Sequence, residues 1–208
     1  MSELRPFEIE ISSMAIIDGL LPLGDWSPGE RIVVKRLVHT SGDPSLATAV
    51  RFSADAVGAG VAALRAGASV FTDTGMVRTG VNSGTVEGLG GTVECLIADA
   101  SIAAESKKTG RTRAACAMRT FGPRLEGAVV ALGNAPTALR EVLALAAEGI
   151  ACPALVIGMP VGFVDAAESK DALMASDLAY VAIEGTRGGS PLAAATVNAL
   201  LRVPEGEV

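Results

Sequence analysis

Through the last two-thirds of the chain, short apolar runs alternate with turns and longer helical stretches. The runs occupy residues 69–72, 93–97, 128–132, 154–157 and 179–183, and each contains β-branched residues. They read as continuous apolar segments, which predicts strands buried on both faces. The last three begin roughly 25 residues apart, the spacing of strand-helix-strand units with right-handed crossovers. The N-terminal third reads instead as helical. Its clearest start is Ser27-Pro28-Gly29-Glu30, an N-cap serine, a first-turn proline and a capping-box glutamate. That helix is predicted to run to about residue 40, with Ile32, Val33, Val34, Leu37 and Val38 as its buried stripe and Gly42 as its stop. A second helix is predicted over residues 54–66, capped by Ser53 and ended by Gly67.

Parallel strands with helices on both faces define the expected class: a three-layer α/β/α sandwich with a mainly parallel sheet and extra N-terminal helices. No linker or low-complexity segment divides residues 1–208, so one domain is expected. In such sheets ligands sit beyond the carboxyl ends of the strands. Three glycine-bearing loops occupy those positions. Gly133-Asn134-Ala135-Pro136 leads into a helix that Asn134 is placed to cap, and Gly158-Met159-Pro160 leads toward a helix opening near Asp165. Gly185 to Gly189 lead to Ser190-Pro191, again a cap followed by proline. Such loops either present N–H groups to anions or merely serve tight turns. None carries a phosphate-loop or dinucleotide fingerprint.

Composition narrows the function classes. Half of the residues are apolar but only 3% are aromatic, which calls for a core of Ala, Val, Leu and Ile packed around 24 glycines. Mean hydropathy is positive, +0.44, yet residues 154–164 form the longest nearly uninterrupted apolar stretch, well short of the roughly 20 residues a spanning helix needs. No secretory signal is visible, so a cytoplasmic protein with no membrane partner is expected. Cys95, Cys116 and Cys152 are widely spaced and only one histidine is present, so no metal site is expected. A net charge of −6 disfavours nucleic acid as a partner. Lys107, Lys108, Arg111, Arg113, Arg119 and Arg124 nevertheless follow one another with no intervening acid, which signals either an anionic partner or a solvated basic surface.

His39 is the only histidine, and imidazole, with an ordinary pKa of about 6.5, is the side chain suited to proton transfer near neutral pH. A lone histidine is often structural. Its predicted place in the last turn of a helix favours the protonated ring, and Arg36, three residues earlier, shares its face and can hold an anionic ligand group beside it. A serine-nucleophile elbow is absent, which disfavours hydrolase chemistry. Asp73, at the end of its predicted strand, is either a functional carboxylate or a cap.

These segments together resemble the precorrin-8X methylmutase family, including its members that act on the cobalt-containing substrate. The resemblance is carried by Pro6-x-x-Ile9 with Ser13-Met14 and Ile17, by Arg36-Leu37-Val38-His39, by Asp73-x-x-Met76-Val77 with Gly80-Val81, and by Thr112-Arg113. Its most specific parts are GNAPTAL at residues 133–139, GMPVGFVDAAESKDAL at residues 158–173, and Gly188-Gly189-Ser190. The resemblance implies a flavodoxin-like fold, a homodimer with its pocket near the subunit boundary, and an isomerase that moves a methyl group from C-11 to C-12 of an acidic corrinoid precursor without a cofactor. It implies His39 as proton donor, with Ser13 and Arg36 contacting substrate. The basic stretch around Arg113 and the loop ending in Ser190 would then bind the rim carboxylates. Glu184-Gly185-Thr186 departs from the family, whose members often carry basic residues there. A non-catalytic tetrapyrrole carrier and a flavin- or nucleotide-binding protein are the competing classes.

Overall fold

The computed structural model describes residues 5–22 and 24–207. Its N-terminal part begins with α1 (Pro6–Leu20) and α2 (Pro28–Ser41). The expected capping box is present: Ser27 Oγ accepts from the Glu30 N–H at 3.2 Å, and the Glu30 carboxylate accepts from the Ser27 N–H at 2.8 Å. Gly42 ends α2 with φ 67°, a left-handed conformation that glycine adopts without penalty. A short 3-10 turn (Pro44–Ala49) then leads into β1 (Val50–Phe52), a strand that the helical reading of this region overlooks.

Ser53 does not cap a helix. It extends the pairing of β1, its Oγ accepting from the Tyr180 N–H at 2.8 Å, and α3 begins later, at Ala56–Arg65. The chain continues through β2 (Val70–Thr72), α4 (Gly75–Gly80), α5 (Ser83–Gly88), β3 (Val93–Glu94), α6 (Ala100–Thr109) and α7 (Arg113–Phe121). It finishes with β4 (Val129–Leu132), α8 (Pro136–Ala147), β5 (Leu155–Gly158), α9 (Ala166–Met174), β6 (Tyr180–Ile183) and α10 (Ser190–Leu200).

All five predicted runs form strands, β3 the shortest of them. The sheet order is β1-β6-β5-β4-β2-β3, and only the β1–β6 pair is antiparallel. The parallel strands alone follow the flavodoxin order, with β1 added at one edge. Residues of β4 and β5 are buried throughout, as strands covered on both faces must be. One helical layer, with α2, α3 and α10, packs on Val129, Ala131, Leu155 and Ile157; the other, with α7 to α9, packs on Val130, Leu132 and Val156.

α1 lies outside this frame against α2. Among its described side chains only Ile17 is buried, while Ile9, Ile11, Ile16 and Leu20 are each more than half exposed. No helix among the described residues is long and apolar enough to cross a membrane.

Candidate active site

Helix α2 ends at the carboxyl edge of the sheet, because Gly42 turns the chain toward β1, whose first residue Val50 pairs with Ile183 at the end of β6. His39 therefore stands at that edge, in the last turn of α2, and is exposed. Ser13, one turn back from Ile17 on α1, meets it: Ser13 Oγ and His39 Nδ1 are 3.0 Å apart. With Nδ1 engaged, Nε2 is the ring atom left for a ligand. Arg36, one helical step earlier on α2, bonds Glu10 of α1 through Nη2 at 2.7 Å. Arg202 joins the same carboxylate at 3.2 Å. The Arg36 guanidinium holds the Glu10 carboxyl below the usual carboxylate range. Ser13, Arg36 and His39 are thus brought together, and Arg36 also lines a cleft of about 340 Å³ with Thr40, Pro191, Asn198 and Arg202.

The switch in strand order falls between β2 and β4, where ligands of this fold class usually bind. Here the place is taken. Asp73, buried at the end of β2, accepts from the N–H groups of Gly133 (3.1 Å), Asn134 (2.8 Å) and Ala135 (2.7 Å). The anion site at the start of α8 is occupied by the protein's own carboxylate, and Asn134, expected to cap α8, is instead one of the donors. Burial pushes the Asp73 carboxyl up, against three backbone donors that hold it down. Gly133 is required here, since a Cβ would come within 2.5 Å of Ser190 Cα. Ser190 is the first residue of α10 rather than its cap; it is buried, and its Oγ lies 3.2 Å from Thr74 Oγ1. Its neighbour Pro191 reaches the cleft that holds Arg36.

Arg113 opens α7 and is exposed, beside Thr112, whose Oγ1 lies 2.6 Å from that of Thr137 at the start of α8. The rest of the basic run is largely committed. Arg111 bonds Glu141 at 2.9 Å, Arg119 bonds both Glu141 and Glu148, Arg124 bonds Glu94, and Lys108 lies 3.7 Å from Glu105. A hollow of about 350 Å³ between α6 and α7 is lined by Arg111 and Arg119, so its cations already have carboxylates. Glu184, the departure in the last loop, bonds Arg51 at 2.7 Å across the β1–β6 pair. Sequence reasoning missed Glu10 and Arg202. A signal for Glu10 exists, since it precedes Ser13 by the same three residues that separate Arg36 from His39.

This arrangement offers a proton-transfer group beside cationic donors at the carboxyl edge of the sheet. The model of the precorrin-8X methylmutase family matches residues 8–203. A cobalt-precorrin-8 methylmutase of Priestia megaterium is 38% identical over 197 residues, 95% of this chain and 88% of the relative. A precorrin-8X methylmutase of Pseudomonas aeruginosa is 43% identical over 173 residues, 82% of each chain. Among solved structures, the precorrin-8x methyl mutase of Thermus thermophilus superposes with a TM-score of 0.88 at 39% identity, covering 94% of both chains. With the match running from α1 to the end of α10, this chain belongs to the precorrin-8X methylmutase family.

Proposed function

We propose that the protein is the isomerase of corrin biosynthesis that moves a methyl group from C-11 to C-12 of precorrin-8X, or of its cobalt-containing counterpart, with His39 as the proton donor. The observation that carries this reading is the Ser13–His39 contact beside Arg36, which leaves Nε2 of the ring free at the carboxyl edge. His39 gives a proton from Nε2 to the conjugated macrocycle, the methyl group shifts between neighbouring ring carbons, and the proton returns to His39. Substrate and product are isomers, so no electron or group enters or leaves. Ser13 holds Nδ1, while Arg36, Arg113 and the Ser190 region bind carboxylates of the rim. Stabilising the protonated, migrating state more than either isomer is what accelerates the shift.

In this reading residues 1–208 act as one domain, in the cytoplasm and as a homodimer. The cleft beside Arg36 is at the small end of ligand sites and would leave much of a macrocycle uncovered. The apolar outer surface of α1, with Ile9, Ile16 and Leu20, adjoins it and is suited to cover by a second copy. The test is to incubate the pure protein with the methylated precursor and record its visible spectrum. The spectral change of the isomerised product is expected. Binding with an unchanged spectrum would replace this reading by that of a carrier. Sedimentation in the same buffer tests the dimer.

A further inference from the structure

Lys170 of α9 is fully buried, which a lysine tolerates only when something compensates its lost hydration. Among the described residues no carboxylate lies within ion-pair distance of it. Its Nζ donates instead to the carbonyl oxygen of Arg187, at 2.7 Å, in the loop between β6 and α10. Burial pushes the ammonium down to about 8, opposed by the nearby Asp171. A methionine in the same space would carry no such cost.

What the bond holds is a junction. The side chain of Arg187 reaches away from Lys170, its Nη1 donating to Asp43 Oδ2 at 3.1 Å and to Ser45 Oγ at 3.2 Å. Asp43 directly follows Gly42, the residue that ends α2 three positions after His39. In the other direction, Gly188 lies so close to the β5 loop that a Cβ would stand 2.2 Å from the Met159 oxygen, and the Gly189 N–H donates to that oxygen at 2.8 Å. Ser190 follows at once. The Arg187 peptide thus joins the end of α2 to the start of α10.

We infer that Lys170 is a positioning residue of the active site, which by holding the Arg187 carbonyl sets both the start of α10 and, through Arg187 and Asp43, the end of α2 that carries His39. The inference rests on the role given to His39 above, and its test has a readout that does not depend on that role.

Amide hydrogen exchange is measured on the unliganded protein, together with melting temperature and, with the methylated precursor, kcat and KM. For Lys170→Met we expect faster exchange at residues 40–43 and 186–190, and a melting temperature equal to or above that of the parent. Turnover is expected to fall about tenfold to a hundredfold, with the loss mainly in kcat, because small misplacements of a proton donor are costly. Lys170→Arg, which keeps a cationic donor, should recover part of that turnover. Should Lys170→Met fail to fold, Arg187→Ala, which alters an exposed side chain, is expected to raise exchange at residues 40–43 and lower kcat. Unchanged exchange at residues 40–43 in both variants, or a kcat loss no larger than the lost folded fraction, overturns the inference. An expected exchange pattern in a protein that does not convert the precursor would defeat the functional reading while leaving the clamp in place.

Discussion

Two carboxylates in this molecule each occupy an anion site, and they do so in opposite ways. Asp73 is completely buried at the strand-order switch and is bound by three backbone N–H groups of one loop. Glu10 sits on α1 with its side chain 44% exposed, bound by the side chains of Arg36 and Arg202. The first arrangement is permanent, because removing the carboxylate strands buried donors. The second is weaker, because exposed ion pairs contribute little and their partners remain open to exchange. The usual ligand crevice of the fold is thereby closed from within. In the proposed reading the place for a ligand lies further out, at the α1–α2 pair, which the parallel sheet itself does not require.

The comparison breaks most sharply on His39. If chemistry belongs to the α1–α2 pair, His39→Ala should reduce turnover by about 10²–10⁴-fold, the range for a lost general acid. Its affinity for the corrinoid should stay within a few-fold of the parent. The ring is exposed, so stability is expected to change by less than about 1 kcal/mol. Single-turnover absorbance beside a binding titration separates these quantities. Normal turnover would return the chemistry to the switch point.

The buried member of the comparison is tested by stability. Asp73→Ala leaves the N–H groups of Gly133, Asn134 and Ala135 without an acceptor, and we expect a loss of about 3 kcal/mol or more in urea unfolding. If the loop is an anion site in its own right, inorganic phosphate should narrow the gap between variant and parent, since binding to the folded state alone stabilises it. An equal response of both proteins to phosphate would mean that the loop serves only as a turn.

The same two regions show what the chain reveals locally. The parallel strands were legible because burial on both faces leaves an unbroken apolar run, and α2 because its caps are adjacent residues. β1 was not, since a three-residue edge strand containing Arg51 has no periodicity to read, and Ser53 imitates a cap until its distant partner Tyr180 is known. Asn134 and Ser190 imitate caps in the same way; the acceptor for the start of α8 is Asp73, some sixty positions away. The run of six cations was open to two readings, an anionic partner or a solvated surface. Three of the six, Arg111, Arg119 and Arg124, are paired with Glu94, Glu141 and Glu148, which a count along the chain cannot pair with them. For the candidate site, local pattern singled out His39 and Arg36, while Ser13 depended on the family resemblance and Glu10, which bonds Arg36, was passed over.

Lys170 sharpens the comparison from a third side, because it is a buried charge with no carboxylate at ion-pair distance among the described residues. Its pKa is displaced from the ordinary 10.5 down to about 8, so between those values the unfolded chain binds more protons than the folded one. Stability attributable to Lys170 therefore rises with pH across that window, the burial cost being full below about pH 8 and relieved toward pH 10.5. Relative to Lys170→Met, the parent should gain about 1–3 kcal/mol between pH 7 and pH 10. A constant difference across that range in thermal unfolding would mean that the ammonium is better solvated than its burial implies.

The smallest effect expected is at Glu10, and it decides whether the exposed carboxylate is a competitor or a guide. Glu10→Gln weakens the hold on Arg36 while keeping the size of the side chain, and because the pair is partly exposed we expect less than about 1 kcal/mol of stability change. If the substrate must displace Glu10, the variant should bind it more tightly, with KM lower by about threefold and kcat unchanged. If Glu10 instead orients Arg36 for a ligand that binds alongside, KM should rise. The two outcomes differ in sign. Added salt should shrink either effect, because both run through a partly exposed ion pair. A fall in KM would establish that the molecule carries one anion site sealed by its own carboxylate and another kept occupied until a ligand arrives.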